Sequence, residues 1–389
     1  MPSYTYYSRN RNFLMTKLLV VFAASLVLAS ISEYNTKAMR ASGRRYSAWR
    51  DWAYILLAVI LILFTGLRTG YNDTMNYFNG FRNAPELAEW ISDKENWNPF
   101  KNPLFSFYQS FLKTYTNNPQ LLIFSLSMLN QICLLRFFKR YSTHFTFSIF
   151  IYFTLGTFVF SLAALKQITA MAICTLAFPY LEVKKWGRYF FLILIATLMH
   201  TYAMAFAAIP LFRARPWSLF TFVFITVVAA VMMNFETAIT AFMEQANDLG
   251  KNLADYEVFD DATINVFRLT VYAVPPLLSF FFQKWVLRDC SRMDHVMVHM
   301  GIISFAFMCM GTQAGANMFG RMGNYFELGT ICCLPWMLEK TFDKRSFRLV
   351  SGIACACFMG FFVYANAIHG SFDWEYQAIS IFKFIRDLF

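Results

Sequence analysis

The chain has 389 residues, of which 58% are hydrophobic and only 15% are charged, and its formal net charge is +11. Apolar stretches long enough to cross a bilayer recur along the whole chain, which excludes an ordinary soluble protein. Their hydrophobicity is continuous and does not alternate. We therefore predict helices that close their own backbone hydrogen bonds, and not the strands of a membrane barrel.

The apolar segments predict an all-α polytopic integral membrane protein with about twelve transmembrane helices. Two adjacent segments, residues 187–200 and 202–212, are too short for full crossings at about 1.5 Å per residue. We therefore predict half-helices that meet inside the membrane at His200. In chain order, the predicted spans are residues 13–32, 52–67, 119–136, 145–162, 166–181, 187–200, 202–212, 217–234, 267–284, 296–311, 322–338 and 347–365.

The excess of basic residues lies in short clusters between the predicted spans, the first running from Lys37 to Arg50. This distribution follows the positive-inside rule, so it indicates topology and gives no reason to expect a nucleic-acid partner. With these clusters in the cytoplasm, the N-terminus, residues 67–118, residues 235–266 and the C-terminal tail lie outside. Basic residues also flank the first span, as in a signal anchor or a cleavable signal peptide, and we expect a retained span.

The predicted domain organisation is simple. No segment between the spans is long enough for a soluble domain, so residues 1–389 are predicted to form a single membrane domain. Two segments on the predicted outer side, residues 68–118 and 235–266, are long enough to fold over an active site there. The first segment is rich in aromatic residues, so part of it is predicted to be an amphipathic helix in the membrane interface.

Charged and titratable residues on or just below the predicted outer face are the candidates for chemistry, because charge inside a membrane is costly and usually functional. Four of them are cationic, and they come from segments far apart in the sequence. Cations that converge on one face suit an anionic ligand, and at membrane level a lipid phosphate or diphosphate is the obvious one. These residues are Arg68, Asp73, Lys166, His200, Arg268, Arg321 and Glu327.

Each candidate also has a structural interpretation. Arg68 could reach the interface from a helix end or pair with Asp73, and Lys166 could be an ordinary snorkelling lysine. Glu327 could be the buried partner of a basic side chain, and a lone histidine such as His200 is often a hydrogen-bonded core residue. Arg321 is less easily explained in this way, because nearby glycines leave its backbone room for close approach to a ligand.

Four stretches in order, GLRTGYNDTMNY, LKQITAMAI, LIATLMHTYAM and GRMGNYFEL, give the chain a resemblance to a known family. It resembles the EpsG-like bacterial exopolysaccharide polymerases, a Wzy-type group, from about residue 50 to residue 380. Two departures stand out. Tyr71 and Asn72 precede Asp73 where the family often has Gly-Thr-Asp, and Lys166 with Gln167 replaces a frequent Arg-Gln pair. A point charge therefore stands where a bidentate group is usual.

The resemblance implies a fold similar to multi-span glycosyltransferases that use polyprenyl-linked donors. It implies an enzyme of the bacterial cytoplasmic membrane whose active site faces outward. Such an enzyme joins repeat units carried on undecaprenyl diphosphate, with inversion at the transferred sugar carbon. Donor and acceptor are both lipid-linked oligosaccharides in the bilayer. A chain-length regulator and a flippase are the further partners that this role implies.

The chemistry requires no metal and no other cofactor, because diphosphate already leaves as a stable anion and needs only neutralisation of its growing charge. Arg68 and Arg321 are predicted to provide it. His200 is the predicted base for the acceptor hydroxyl, with Glu327 or Asp73 as alternatives. Further predicted substrate contacts are Asp73, Tyr77, Lys166, Gln167, Tyr325, Glu327, Trp374 and Tyr376.

Two other functional classes share part of this pattern. A transporter or flippase for lipid-linked sugars would also have a cationic cavity, but one that opens to both faces, and inverted repeats would mark it. A membrane acyltransferase that modifies polysaccharide would use a histidine near the cytoplasmic side. His295 and His299 keep that alternative open, although their spacing lacks the glutamate of a zinc protease motif.

Overall fold

The structure, a computed structural model, describes residues 15–43, 46–234, 263–368 and 376–387 and the single residues Gln245 and Phe372. Helices make up most of this part of the chain. In order they are α1 (Thr16–Ala41), α2 (Trp52–Gly66), α3 (Thr74–Arg82), α4 (Leu87–Ser92), α5 (Pro103–Tyr115), α6 (Gln120–Tyr141), α7 (Phe145–Thr154), α8 (Thr157–Ala163), α9 (Leu165–Glu182), α10 (Trp186–Met199), α11 (Leu219–Met233), α12 (Val266–Phe281), α13 (Gln283–Val286), α14 (Arg292–Met310), α15 (Ala316–Thr341), α16 (Lys344–Val363) and α17 (Ile381–Arg386). Short 3-10 helices lie at Ala48–Arg50, Lys94–Trp97, Pro99–Lys101 and Thr201–Arg213, and a π-helical turn lies at Tyr364–Ile368.

Within the described residues, four helices are long and apolar enough to cross a membrane, or five if the bent pair α7 and α8 is one span. The four are Thr16–Ala41, Gln120–Tyr141, Arg292–Met310 and Lys344–Asn366. The helix α11 buries only Thr221 and turns large apolar side chains outward, as a lipid-facing helix does. The chain is therefore an all-helical membrane protein. The predicted total of about twelve spans is not established, because α2, α10, α11 and α12 are shorter than 18 residues.

The helices α9 and α15 lie in the interior. The first buries 13 of its 18 residues and the second 19 of its 26. A glycine lets α15 approach α14 closely, since a Cβ at Gly329 would lie 2.6 Å from the carbonyl oxygen of Met297. Because other helices surround α9 and α15, the polar residues that they carry face protein and not lipid.

Two breaks shape the bundle. The structure has a break at the predicted place between residues 199 and 201, where His200 is extended (φ −155°, ψ 118°) and a 3-10 helix follows α10. The backbone N–H of Thr201 donates to the side-chain oxygen of Asn102 (3.1 Å), which satisfies a donor freed by the break.

The other break was not predicted. Residues 145–162 were predicted to form one span, and within it α7 and α8 meet at an angle of 53°. Gly156 lies at the bend with φ +96°, a conformation that favours glycine.

The segment between α2 and α6 folds back on the helices. Within it, Trp90 is buried against Trp97 and Phe107, with ring centroids 5.0 and 5.3 Å away. Two short strands, β1 (Arg68–Gly70) and β2 (Gln377–Ala378), pair antiparallel, with Arg68 opposite Ala378. The end of α2 is thereby held by the C-terminal part of the chain.

Candidate functional site

Arg68 is completely buried at the start of β1. Its Nε donates to the Thr74 hydroxyl (3.3 Å), and its Nη1 donates to the Ser127 hydroxyl (3.1 Å) and to the Thr65 carbonyl. Nη2 has no hydrogen-bond partner among the described residues. These contacts tie together α2, α3 and α6.

The structure therefore excludes both structural interpretations of Arg68 made from the sequence. A fully buried guanidinium does not reach the interface, and no ion pair with Asp73 is present among the described side chains. The surrounding backbone is also held, because Gln120 Nε2 donates to the carbonyls of Gly66 (2.7 Å) and Arg68 (3.0 Å). Arg68 thus stabilises the turn, and its role toward substrate stays a prediction.

Tyr77, on α3, brings several predicted residues together. Its side chain lies next to the backbone N–H of Lys166 and close enough to Asp73 and Arg321 to feel their charges. Burial, with a further contribution from Asp73, raises the pKa of Tyr77 to about 12. The hydroxyl therefore stays protonated at neutral pH and can donate a hydrogen bond to an anion.

Lys166 and Arg321 are the two cations of this cluster that the protein leaves available. Among the described residues, neither side chain makes a hydrogen bond or an ion pair, although both are half-buried. The Lys166 ammonium lies over the ring of Phe105, 4.7 Å from its centroid. Asp73 lies close enough to act on the charge of Lys166 but forms no ion pair with it among the described residues, so the two half-buried cations still favour an anionic ligand.

Gln167 positions the backbone of Arg321 without touching its guanidinium. Its Nε2 donates to the Arg321 carbonyl (2.6 Å), which fixes the start of α9 against α15. Its Oε1 is buried and has no partner among the described residues. The two residues of the Lys-Gln pair therefore have different roles. Lys166 supplies positive charge, and Gln167 holds α15, the helix that carries Arg321, in place.

His200 and Tyr325 meet at the break after α10. The Nδ1 of His200 lies 2.9 Å from the Tyr325 hydroxyl, and the histidine ring packs edge-on against Tyr202 at 5.0 Å. Tyr202 in turn lies within electrostatic range of Arg321. The tyrosine hydroxyl fixes the orientation of the imidazole. We call the group of Asp73, Tyr77, Lys166, His200, Arg321 and Tyr325 the cationic site.

Glu327 lies on α15 but faces away from this site. It is 1% exposed, and its Oε2 accepts a hydrogen bond from the Tyr272 hydroxyl. The guanidinium of Arg268 stands over the Tyr272 ring, 5.6 Å from the centroid. Among the described side chains Glu327 forms no direct ion pair, but the charge of Arg268 lies close enough to act on its carboxylate.

Tyr376 is buried, and both its hydroxyl and its ring already contact Phe64. Its hydroxyl donates to the Phe64 carbonyl (2.7 Å), and its ring stacks on Phe64 with centroids 4.4 Å apart. The predicted sugar contact at this residue has no open face to support it. Trp374 and most of the predicted outer segment 235–266 lie outside the described residues.

Two residues next to the cationic site were not predicted from the sequence. Phe105 supplies the surface under the Lys166 ammonium, and Tyr202 contacts His200 and lies within electrostatic range of Arg321. Phe105 was visible only as one aromatic residue of an outer segment, because no sequence spacing relates it to Lys166. Tyr202 could have been suspected from its place two residues after the predicted break.

The histidine pair that kept an acyltransferase possible has ordinary partners. His299 Nε2 lies 2.9 Å from the Thr221 hydroxyl, and its Nδ1 lies 3.0 Å from the carbonyl oxygen of His295. Both ring nitrogens of His299 are thus used, Nε2 in joining α14 to α11 and Nδ1 in a contact within α14. This arrangement favours a packing role for His299 and gives no support to acyl transfer.

Comparison with known proteins relates the chain to one described family. The model of the EpsG family matches residues 51–379. That range includes every residue of the cationic site and the two strands that hold Arg68. No curated protein and no solved structure matches the chain.

Proposed function

The chain belongs to the EpsG family of Wzy-like exopolysaccharide polymerases, and from this premise we propose that it polymerises lipid-linked oligosaccharide repeat units. The substrates are repeat units on undecaprenyl diphosphate, and the reaction takes place at the outer face of the bacterial cytoplasmic membrane. Residues 68–118 cover the site. A flippase that delivers the units and a chain-length regulator are the expected partners.

The observation that carries this proposal is the pair of available cations in the cationic site. Lys166 and Arg321 come from different helices and both lie near Tyr77, whose hydroxyl can donate to the same ligand. A diphosphate needs this combination of fixed positive charge and hydrogen-bond donors. A neutral substrate would leave the net positive charge of Lys166, Arg321 and Asp73 without neutralisation.

The proposed reaction is a single displacement. An acceptor hydroxyl attacks the anomeric carbon of the donor sugar, while the bond from that carbon to the diphosphate oxygen breaks and its electron pair leaves with the diphosphate. Arg321 and Lys166 neutralise the charge that grows on the leaving oxygen. His200, oriented by Tyr325, takes the hydroxyl proton. Attack opposite the leaving group inverts the anomeric carbon, and no step needs a metal ion.

We expect purified protein in bilayer nanodiscs to convert undecaprenyl-diphosphate-linked repeat units into a ladder of longer glycans with EDTA present. Gel electrophoresis of the released glycans measures this, and nanodiscs carrying Arg321→Ala are the control. Movement of the lipid-linked units across vesicle membranes with no change in glycan length would contradict the proposal and identify a transporter.

His200→Ala is expected to lower the rate of chain extension by about 10²–10⁴-fold, the usual loss when a positioned base is removed. The rate is measured as repeat units added per minute at saturating substrate. Tyr325→Phe is the matched variant, since it keeps the imidazole and removes only the hydroxyl 2.9 Å away. A His200→Ala protein that extends chains at the normal rate at neutral pH would show that His200 is a structural histidine.

A further inference from the structure

A cavity of about 370 Å³ lies on a face of α15 next to the one that carries Arg321 and Tyr325 of the cationic site. Asn324 and Glu327 of α15 line it together with Arg268 of α12, and Tyr71 and Tyr364 form part of its wall. Its size is at the lower end of the range of about 300–1,000 Å³ that is usual for small-molecule sites. We call it the α15 cavity.

The charge of the α15 cavity differs from that of the cationic site. It contains one guanidinium, Arg268, and one carboxylate, Glu327, so its formal charges cancel. The Arg268 Nη2 already donates to Asn324 Oδ1 (3.2 Å). A diphosphate would meet no free excess of positive charge here. The remaining polar side-chain groups are amides, hydroxyls and one carboxylate oxygen, which suit the hydroxyl groups of a ligand.

One buried atom points to a missing hydrogen-bond donor. Glu327 is 1% exposed, and its Oε1 has no hydrogen-bond partner among the described residues. The Thr157 hydroxyl lies close enough to donate to the same carboxylate. Leaving a buried carboxylate oxygen unpaired is costly, so such an atom takes a donor from Thr157, from a ligand or from water. A sugar hydroxyl is a suitable donor.

The lining also contains flat apolar surface. Tyr71, Phe361 and Tyr364 contribute aromatic rings, and Asn265 and Asn366 add amide groups. Aromatic walls with a few placed polar groups are typical of sites that orient a small neutral ligand. A sugar ring offers both kinds of surface, because its hydroxyls lie at its rim and its C–H groups on its faces.

The helix α15 links this cavity to the cationic site. Residues three or four apart lie on one side of a helix, so Gly320, Asn324 and Glu327 share a side, while Arg321 and Tyr325 share the adjacent one. Gly320 lies beside Arg268, since a Cβ there would be 3.8 Å from Arg268 Nη1. A ligand in the α15 cavity and a ligand in the cationic site would therefore lie on adjacent faces of the same helix.

We propose that the α15 cavity is a saccharide site that holds the acceptor sugar through its hydroxyl groups while the cationic site holds the donor diphosphate. The assignment rests on the proposed polymerase function. Glu327 Oε1 and the Asn324 amide bind acceptor hydroxyls, and Arg268 positions Asn324. Glu327 is a binding residue here, and the proton of the attacking hydroxyl still goes to His200.

The test measures binding of two probes to the purified protein in nanodiscs. One probe is the neutral repeat-unit oligosaccharide released from its lipid, and the other is undecaprenyl diphosphate without sugar. Glu327→Gln is expected to weaken oligosaccharide binding at least tenfold and to leave diphosphate binding unchanged. Arg321→Ala is expected to do the reverse. Isothermal titration calorimetry provides both dissociation constants.

A second pair of variants keeps the test valid if Glu327→Gln fails to fold. Ala365→Leu places a larger side chain in the cavity wall and is expected to weaken oligosaccharide binding, while Ala356→Leu on exposed α16 surface is the matched control. Unchanged oligosaccharide binding in both Glu327→Gln and Ala365→Leu, in a protein that still forms glycan ladders, would overturn the cavity assignment alone. A wild-type protein that forms no ladder would instead overturn the polymerase function.

Discussion

Arg321→Ala is expected to stop polymer formation and leave a folded protein, with single lipid-linked repeat units accumulating. The guanidinium is half-buried and makes no hydrogen bond or ion pair with the described residues, so its removal should cost little stability. Removing one preorganised donor from a site of growing negative charge typically costs about 10²–10³-fold in rate. The measurements are the glycan ladder from purified protein and the thermal unfolding temperature of the same preparation.

Two variants sharpen this experiment. Arg321→Lys keeps the charge but loses the planar donor pair, so an intermediate rate is expected. Arg345→Ala removes an exposed arginine at the opposite end of the helices and should leave both rate and unfolding temperature unchanged. If Arg321→Ala produced polymer of normal length and yield, the cationic site would not be the place where the diphosphate leaves.

Arg68→Ala is expected to act mainly on stability. The change removes a buried guanidinium that serves Thr74, Ser127 and the Thr65 carbonyl. Each buried acceptor left without a donor costs about 1–3 kcal/mol. Over the three acceptors the loss is several kcal/mol, which should lower the unfolding temperature by roughly 5–10 °C. Gel filtration of detergent-solubilised protein after heating measures the change.

The control for this variant lies in the same segment. Arg82→Ala removes an exposed arginine from α3 and should change the free energy of unfolding by no more than about 0.5 kcal/mol. If the variant unfolds at the wild-type temperature and makes no polymer, the role toward the diphosphate that the sequence predicts for Arg68 holds, and its Nη2 binds substrate.

The sequence predicts the features that depend on local pattern. The length of the apolar segments predicts the helices. The two adjacent segments that are too short to cross a membrane predict the break at His200. The gathering of Lys166, Tyr77 and Arg321 follows from assuming that charged groups of one predicted face converge, and the structure does place these three close together. Their catalytic and binding roles are still predictions.

The features that the sequence does not predict depend on distant partners. Burial of Arg68 is set by Ser127 and Gln120 of α6, more than fifty positions away along the chain. The bend at Gly156 has no local signal, because a single glycine is tolerated inside many apolar helices. The separation of Glu327 from Arg321 could have been derived, since six residues along a helix place two side chains on different faces.

The pairing of β1 with β2 has a consequence for how the protein matures. The Tyr376 hydroxyl donates to the Phe64 carbonyl across 312 positions, and Arg68 lies opposite Ala378 in the strand pair. During synthesis, the turn after α2 leaves the ribosome long before the residues that fasten it. A nascent chain therefore cannot complete this part of its structure until its C-terminal segment has been made and positioned. Partly synthesised chains in the membrane would therefore lack a fixed Arg68 turn.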